Sequence, residues 1–197
     1  MRIDQQVAES LIRPGTRVLD LGCGDGELLA HLKATHGVSG YGVEIDPDKI
    51  TQAIGRGIDI IEHDLNQGLS GFPDHSFDYA IMAQAIQAVD DPRAMLIDLL
   101  RVAETAVVTF PNFAHIKNRI DLGVFGQMPM SKSLPHAWFN TPNIHLCTIK
   151  DFERLCAELG IRVIQRIVTT STEKDPWWVK LAPNLTAALV IYQLKLK

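Results

Sequence analysis

Residues 18–27 read Val18-Leu19-Asp20-Leu21-Gly22-Cys23-Gly24-Asp25-Gly26-Glu27. An apolar strand runs into a turn with three alternate glycines and then into a helix start. Glycine adopts positive φ at little cost and lets a ligand approach the backbone closely. The first turn of a helix offers unpaired N–H groups and a partial positive charge. Two classes of ligand exploit this geometry. A dinucleotide seats its pyrophosphate on the helix N-terminus, under a GxGxxG fingerprint. Gly22 and Gly24 fit that fingerprint, but its third glycine falls at Glu27.

The other class is S-adenosylmethionine (SAM), and Asp20 at the strand tip favours it. A carboxylate facing a pyrophosphate is repelled: two like charges about 4 Å apart cost about 4 kcal/mol at an effective dielectric of about 20. SAM brings an ammonium and a sulfonium, so the sign reverses, and its carboxylate can use N–H groups of the loop. The plainer alternative is a tight turn in which Asp20 or Asp25 only caps the helix.

Outward from the loop, apolar runs alternate with amphipathic stretches. Strands are expected at Thr16–Leu21, Ser39–Ile45, Asp59–His63, Phe77–Ala83 and Val107–Phe110. Helices are expected at Glu27–Ala34, at Lys49–Gly55 behind Asp46-Pro47-Asp48, and from Asp90-Asp91-Pro92 through Arg101. Met95, Leu96, Leu99, Leu100 and Ala103 follow helical spacing. Strands alternating with helices imply parallel pairing through right-handed crossovers. Later, Thr148–Leu159 reads as a helix with Thr148 and Asp151 in a capping box and Gly160 as the stop. Ile161–Ile167 and Ala187–Leu194 read as an antiparallel pair closing one side. The expected fold is α/β: a three-layer sandwich with a mostly parallel, doubly wound sheet and a late antiparallel strand. One domain over residues 1–197 is expected, with an aperiodic, Pro- and aromatic-bearing insertion at about 111–147.

Two more acids mark the sheet edge where α/β ligands bind. Glu44 ends the second strand, placed to accept two ribose hydroxyls, with Ile45 to cover an adenine face. Asp64 ends the third strand, placed to accept from the adenine amino group, with Leu65 as packing. Each acid alone is more often a solvated loop residue; three acids at the ends of three successive strands are harder to dismiss.

Composition narrows the classes. The 197 residues carry 19 Lys and Arg against 23 Asp and Glu, a net charge of −4, so a nucleic-acid footprint is disfavoured. No run of apolar residues is long enough to span a membrane, and residues 1–12 do not read as a signal peptide. Cys23, Cys147 and Cys156 are odd in number and lack CxxC spacing, which suits a reduced cytoplasm. Seven histidines show no HxxxH or HExxH spacing, so no metal is expected.

The loop and the three acids together resemble class I SAM-dependent methyltransferases over about Thr16–Pro111. That resemblance implies that Asp20, Gly22 and Gly24 hold the methionine end of SAM or S-adenosylhomocysteine (SAH). It assigns Glu44 to the ribose, Asp64 and Leu65 to the adenine, and Gln84 to the neighbourhood of the methyl donor. A closer resemblance follows the fifth strand. Phe110-Pro111-Asn112-Phe113, His115, Asn118-Arg119, Met128-Pro129, Leu134-Pro135, Trp138 and Thr141-Pro142-Asn143-Ile144-His145-Leu146-Cys147-Thr148 are similar to MetW, a methionine-biosynthesis family. This implies a role beside homoserine O-acyltransferase as partner or activator; a homodimer is also open.

Methyl transfer is an in-line displacement in which positioning carries much of the rate, and an acidic acceptor also needs a base. The (D/N/S)PP(Y/F) signature of nucleic-acid and glutamine amino-methyltransferases is replaced here by Ala83-Gln84-Ala85-Ile86. His115 and His145 are the candidate bases, and a structural hydrogen bond is the competing role for each. No GxSxG elbow marks the chain itself as an acyltransferase. The Trp177-Trp178 pair and the aromatics of the insertion suit a partner surface, a lid or simple packing.

Overall fold

The computed structural model describes residues 2–131, 133–170, 179 and 181–197. The Trp177-Trp178 pair lies outside the described residues. In chain order the elements are α1 (Ile3–Glu9), β1 (Arg17–Leu21), α2 (Glu27–His36), β2 (Ser39–Glu44), α3 (Pro47–Gly55), β3 (Ile60–Glu62), β4 (Phe77–Ala83), α4 (Pro92–Val102), β5 (Ala103–Pro111), α5 (Ile116–Gly123), α6 (Ile149–Glu158), β6 (Ile161–Thr169), α7 (Pro183–Thr186) and β7 (Leu189–Leu196). The seven strands form one sheet in the order β3-β2-β1-β4-β5-β7-β6. The first five are parallel. β7 runs antiparallel between β5 and β6.

β1, β4 and β5 are buried along almost their whole length, as central parallel strands covered by crossover helices must be. Their alternation sorts side chains between two layers. Val18, Tyr79, Ile81 and Val107 pack with Leu28, Leu29 and Leu32 of α2 and Ala8 of α1. Leu19, Leu21, Ala80, Met82 and Val108 pack on the other face with Leu96 and Leu99 of α4 and Phe152 of α6. Phe110, Phe152 and Tyr192 form an aromatic cluster with centroids 4.8–5.9 Å apart, tying β5, α6 and β7 together.

Local chemistry explains the element ends. Asp46 caps α3 by accepting from the N–H groups of Asp48 and Lys49, and Pro47 occupies the first turn. Asp91 caps α4 from the Ala94 N–H. Thr148 Oγ1 accepts from the Asp151 N–H at 3.2 Å and donates to Asp151 Oδ2 at 2.7 Å. The Thr148–Asp151 pairing is therefore present, but the acid reaches the threonine hydroxyl.

Three features differ from the sequence reading. A seven-residue helix, α1, precedes β1. β5 starts at Ala103, directly after the last residue of α4, so Ala103 belongs to the strand despite its helical spacing. The 111–147 stretch contains α5, whose first turn is capped by His115.

Candidate functional site

Strand order reverses between β1 and β4, the position at which open α/β sheets form their ligand crevice. A cavity of about 640 Å³ lies there, within the usual range for small-molecule sites. Its walls come from the end of β1 (Asp20), the β1–α2 loop (Gly22, Cys23, Gly24), the end of β2 (Glu44), the turn after β4 (Gln84, Ala85, Gln87), the α1 segment (Arg2, Asp4, Gln5) and the 111–147 stretch (Ser133, Pro135, His136, Pro142, Asn143).

The loop is built by its glycines. Gly22, Gly24 and Gly26 have φ of +69°, +59° and +73°, a region that a side chain disfavours. A Cβ on Gly22 would also lie 3.0 Å from the Ala85 Cβ. Most loop N–H groups are engaged internally. Those of Gly22 and Cys23 donate to the Val43 carbonyl, and that of Gly26 to the Cys23 carbonyl. The Gly24 N–H donates to Glu44 Oε2 at 2.9 Å. Glu44 Oε1 accepts from the Ile45 and Asp46 N–H groups at 2.9 and 3.0 Å.

Asp20 lies two residues beyond Val18 and faces the same side of β1. It is 2% exposed. Burial pushes its carboxyl up to about 7; Arg2 pulls it down, and Glu44 pushes it further up. Burial, then the Asp20 and Glu44 charges, push the Cys23 thiol well above its ordinary range.

Three buried side-chain oxygens lack a hydrogen-bond partner among the described residues: Asp4 Oδ1, Asp20 Oδ1 and Gln87 Oε1. All three residues line this cavity. An unsatisfied buried acceptor costs about 1–3 kcal/mol, so the cavity is built to receive hydrogen-bond donors. Asp4 Oδ1 lies 3.4 Å from Arg2 Nε, an ion-pair contact. Asp4 Oδ2 accepts from Thr109 Oγ1 at 3.0 Å. Gln87 Nε2 donates to the Gln84 carbonyl at 2.8 Å, which orients the amide. Gln84 itself has φ +57°, and its N–H donates to both the carbonyl and the hydroxyl of Thr109.

Of the residues singled out in the sequence, Asp20, Gly22, Gly24, Glu44 and Gln84 line the cavity. Ile45, Asp64 and Leu65 are not among its lining residues. Ile45 is exposed. Asp64 caps a 3-10 turn at Leu65–Gln67 by accepting from the Asn66 N–H, and Leu65 packs against the core. His115 Nδ1 accepts from the Lys117 N–H at 3.2 Å. Burial and then Lys117 hold the His115 pKa below the ordinary imidazole value. The His145 ring pairs with the Asp90 carbonyl at 3.2 Å and lines a separate cavity of about 260 Å³ beside α4 and α6. The lining histidine is His136, which the sequence reading passed over along with Arg2, Asp4 and Gln87. A glutamine pair three residues apart after β4 was the available signal for Gln87. The α1 contributors carry no motif.

Among solved structures, a SAM-dependent methyltransferase from Mesorhizobium loti superimposes with a TM-score of 0.70 at 18% identity, covering 97% of each chain. A SAM-dependent methyltransferase from Geobacter sulfurreducens, in complex with S-adenosyl-L-homocysteine, gives 0.65 at 16% identity over 98% of this chain and 90% of that one. The fold is that of the SAM-dependent methyltransferases. The sequence matches the family described as methionine biosynthesis protein MetW over residues 2–194, and the chain belongs to that family. The bifunctional methionine biosynthesis protein MetXA/MetW of Rhodopirellula baltica is 35% identical over 176 residues, 85% of this chain and 28% of the relative. A ubiquinone/menaquinone biosynthesis C-methyltransferase, UbiE, of Stenotrophomonas maltophilia is 35% identical over 106 residues, 49% of this chain and 41% of that protein. The chain thus spans less than half the length of either relative. Among the described residues no helix is long and apolar enough to cross a membrane.

Proposed function

We propose that this chain binds SAM or SAH in the 640 Å³ cavity and serves as an accessory or regulatory partner of homoserine O-acyltransferase in the cytoplasm. The observation that carries the ligand is Asp20: a buried carboxylate with one unpartnered oxygen, beside a second acid, at the crevice of a methyltransferase fold. A ligand ammonium supplies both the missing donor and the missing charge. A pyrophosphate supplies neither.

Glu44 fits a ribose as well. A carboxylate has about four lone-pair sites, and three accept backbone N–H groups here, leaving capacity for a hydroxyl donor. The adenine end then extends past Glu44 toward Asp64 and Leu65, since Glu44 pairs in register with Glu62 on β3. Bound SAM supplies an electrophilic methyl group, and bound SAH supplies none. SAM is made from the pathway's product, so occupancy can act as a feedback signal.

The partner role is supported by the bifunctional MetXA/MetW relative, which carries both names on one chain. Calorimetric titration with SAM, comparing wild type with Asp20→Asn and Glu44→Ala, tests the site. Both substitutions are expected to weaken binding at least tenfold; unchanged affinity in both would overturn the assignment. Co-purification with the acyltransferase, and its activity with and without this chain and SAM, tests the partnership; gel filtration distinguishes it from a homodimer.

A second reading rests on His136 at the cavity wall. An imidazole there is placed to take a proton from a small methyl acceptor. Labelled-methyl transfer to a metabolite extract, lost in His136→Ala, is the result that would favour it.

A further inference from the structure

The methionine end of a SAM-type ligand carries a carboxylate as well as an ammonium. In this loop the N–H groups of Gly22, Cys23, Gly24 and Gly26 are all engaged by Val43, Glu44 or Cys23. The glycine turn therefore shapes the cavity without offering those amides to an anion. Two acids, Asp20 and Glu44, stand beside it and repel a carboxylate placed there.

A cation stands in the same cavity, close enough to Asp20 to pull its pKa down. Arg2 lines the same cavity. Its Nη2 donates to the carbonyl of Ala83, the last residue of β4, at 3.2 Å, and its Nε lies 3.4 Å from Asp4 Oδ1. Asp4 is itself fixed to β5 through Thr109. The guanidinium is thus pinned at two atoms, while its side chain keeps 51% of its surface exposed. Lys49, also on the lining, lies 4.0 Å from Asp46 on its own helix cap.

We infer that Arg2 is the carboxylate-binding residue of this site, with Asp4 as its positioning residue, so that the ligand's amino-acid end is bridged between Asp20 and Arg2. The inference deepens the SAM reading above and rests on it. Arg2 presents planar, paired donors that suit a carboxylate, and its own charge is tethered by the buried Asp4. A zwitterion laid between Asp20 and Arg2 places each ligand charge against its opposite. The α1 segment is then part of the ligand site.

The test compares three probes on the whole chain by calorimetry: SAH, its analogue lacking only the carboxylate, and 5′-methylthioadenosine, which lacks the amino-acid end. Wild type is expected to prefer SAH over the decarboxylated analogue by about 10- to 100-fold, the size of a charge-assisted contact. Arg2→Gln is expected to erase that preference while leaving 5′-methylthioadenosine affinity unchanged, which also reports an intact fold. Arg2→Lys is expected to retain part of it. An Arg2→Gln protein that still prefers SAH would overturn the inference, because the carboxylate is then held elsewhere. Tighter SAH binding in Arg2→Gln would overturn it too, since Arg2 then occupies the ammonium's place. Failure of wild type to bind either SAH or 5′-methylthioadenosine would overturn the SAM reading and this inference together, a result distinct from the other two.

Discussion

Glu44 Oε2 accepts the N–H of Gly24 at 2.9 Å, so the acid ending β2 and the middle glycine of the β1–α2 loop hold one another. With Ile45 and Asp46 donating to the other oxygen, three backbone donors converge on one carboxylate that is 8% exposed. A side-chain amide cannot serve all three. It can turn its oxygen to Ile45 and Asp46, but its NH₂ then faces the Gly24 N–H. Glu44→Gln is therefore expected to destabilise the protein nearly as much as Glu44→Ala, by about 1–3 kcal/mol. Thermal melts of the two variants check this. A Glu44→Gln protein as stable as wild type would show that the acid does not organise the loop.

The Asp20 carboxyl sets a pH dependence with a definite sign. Its folded-state pKa is about 7, above the ordinary value of about 3.9 for an unfolded chain. Between those values the folded protein holds a proton that the unfolded chain has released. Stability of the ligand-free protein is expected to fall as pH rises through that window and then level off. Asp20→Asn removes this contribution, so it is expected to raise the melting temperature at pH 8 while weakening SAH binding at least tenfold. Ligand ammonium favours the carboxylate, so SAH binding is expected to strengthen as pH approaches 7 and to release protons below it. Calorimetry in buffers of different ionisation enthalpy reads that release directly.

Thr109 is fully buried and serves two elements. Its hydroxyl donates to Asp4 and accepts from the Gln84 N–H. Thr109→Val keeps the volume and removes both bonds, leaving a buried carboxylate oxygen without its donor. A loss of about 2–3 kcal/mol is expected. Amide exchange of α1 should accelerate more than that of β5. Equal acceleration in both would mean that the hydroxyl does not fasten α1.

The cysteines are expected to be inert in the native state. All three are free. Burial first, then acidic neighbours, raises the Cys23 thiol; burial first raises Cys147 and Cys156, each to about 12. The thiolate is the reactive form. Disulfide-exchange labelling at pH 8 should therefore proceed at the rate of unfolding. Fast labelling of any one of them would contradict the packing around it.

Much of the architecture was legible because it rests on local signals. β1, β4 and β5 carry dense apolar runs, and β1 leads straight into Gly22. Asp46-Pro47 and Asp91-Pro92 state helix starts in their own chemistry, and both caps form. The elements that escaped lack such punctuation. α1 begins at Ile3 behind Arg2, which is not a usual cap residue. The α4-to-β5 switch happens between Val102 and Ala103 with no turn residue to mark it, so helical spacing runs on into Ala103 although the chain is already in the strand. α5 is capped by a histidine.

At the cavity, the loop glycines with Asp20 and Glu44 were readable, because motif spacing fixes which strand tip carries them. The partners of the loop amides were not: spacing cannot say that the Gly24 N–H turns to Glu44. Nor can it bring Arg2 and Asp4 to residues more than 80 positions later in the chain, a matter of tertiary packing alone. Asp64 shows the same limit, since its 3-10 cap is a local choice that a motif match does not reveal.

The two margins of the sheet are unlike, yet both discourage growth. β3 offers only three residues. β6 is longer, but its ladder slips between Val163 and Gln165, and it presents Arg162 and Arg166 along its length. A flat neighbouring strand meets a kink and the exposed Arg162 there, while Arg166 is paired with Glu153 of α6. The protein can thus be concentrated, or joined to another polypeptide, without its borders templating fibrils.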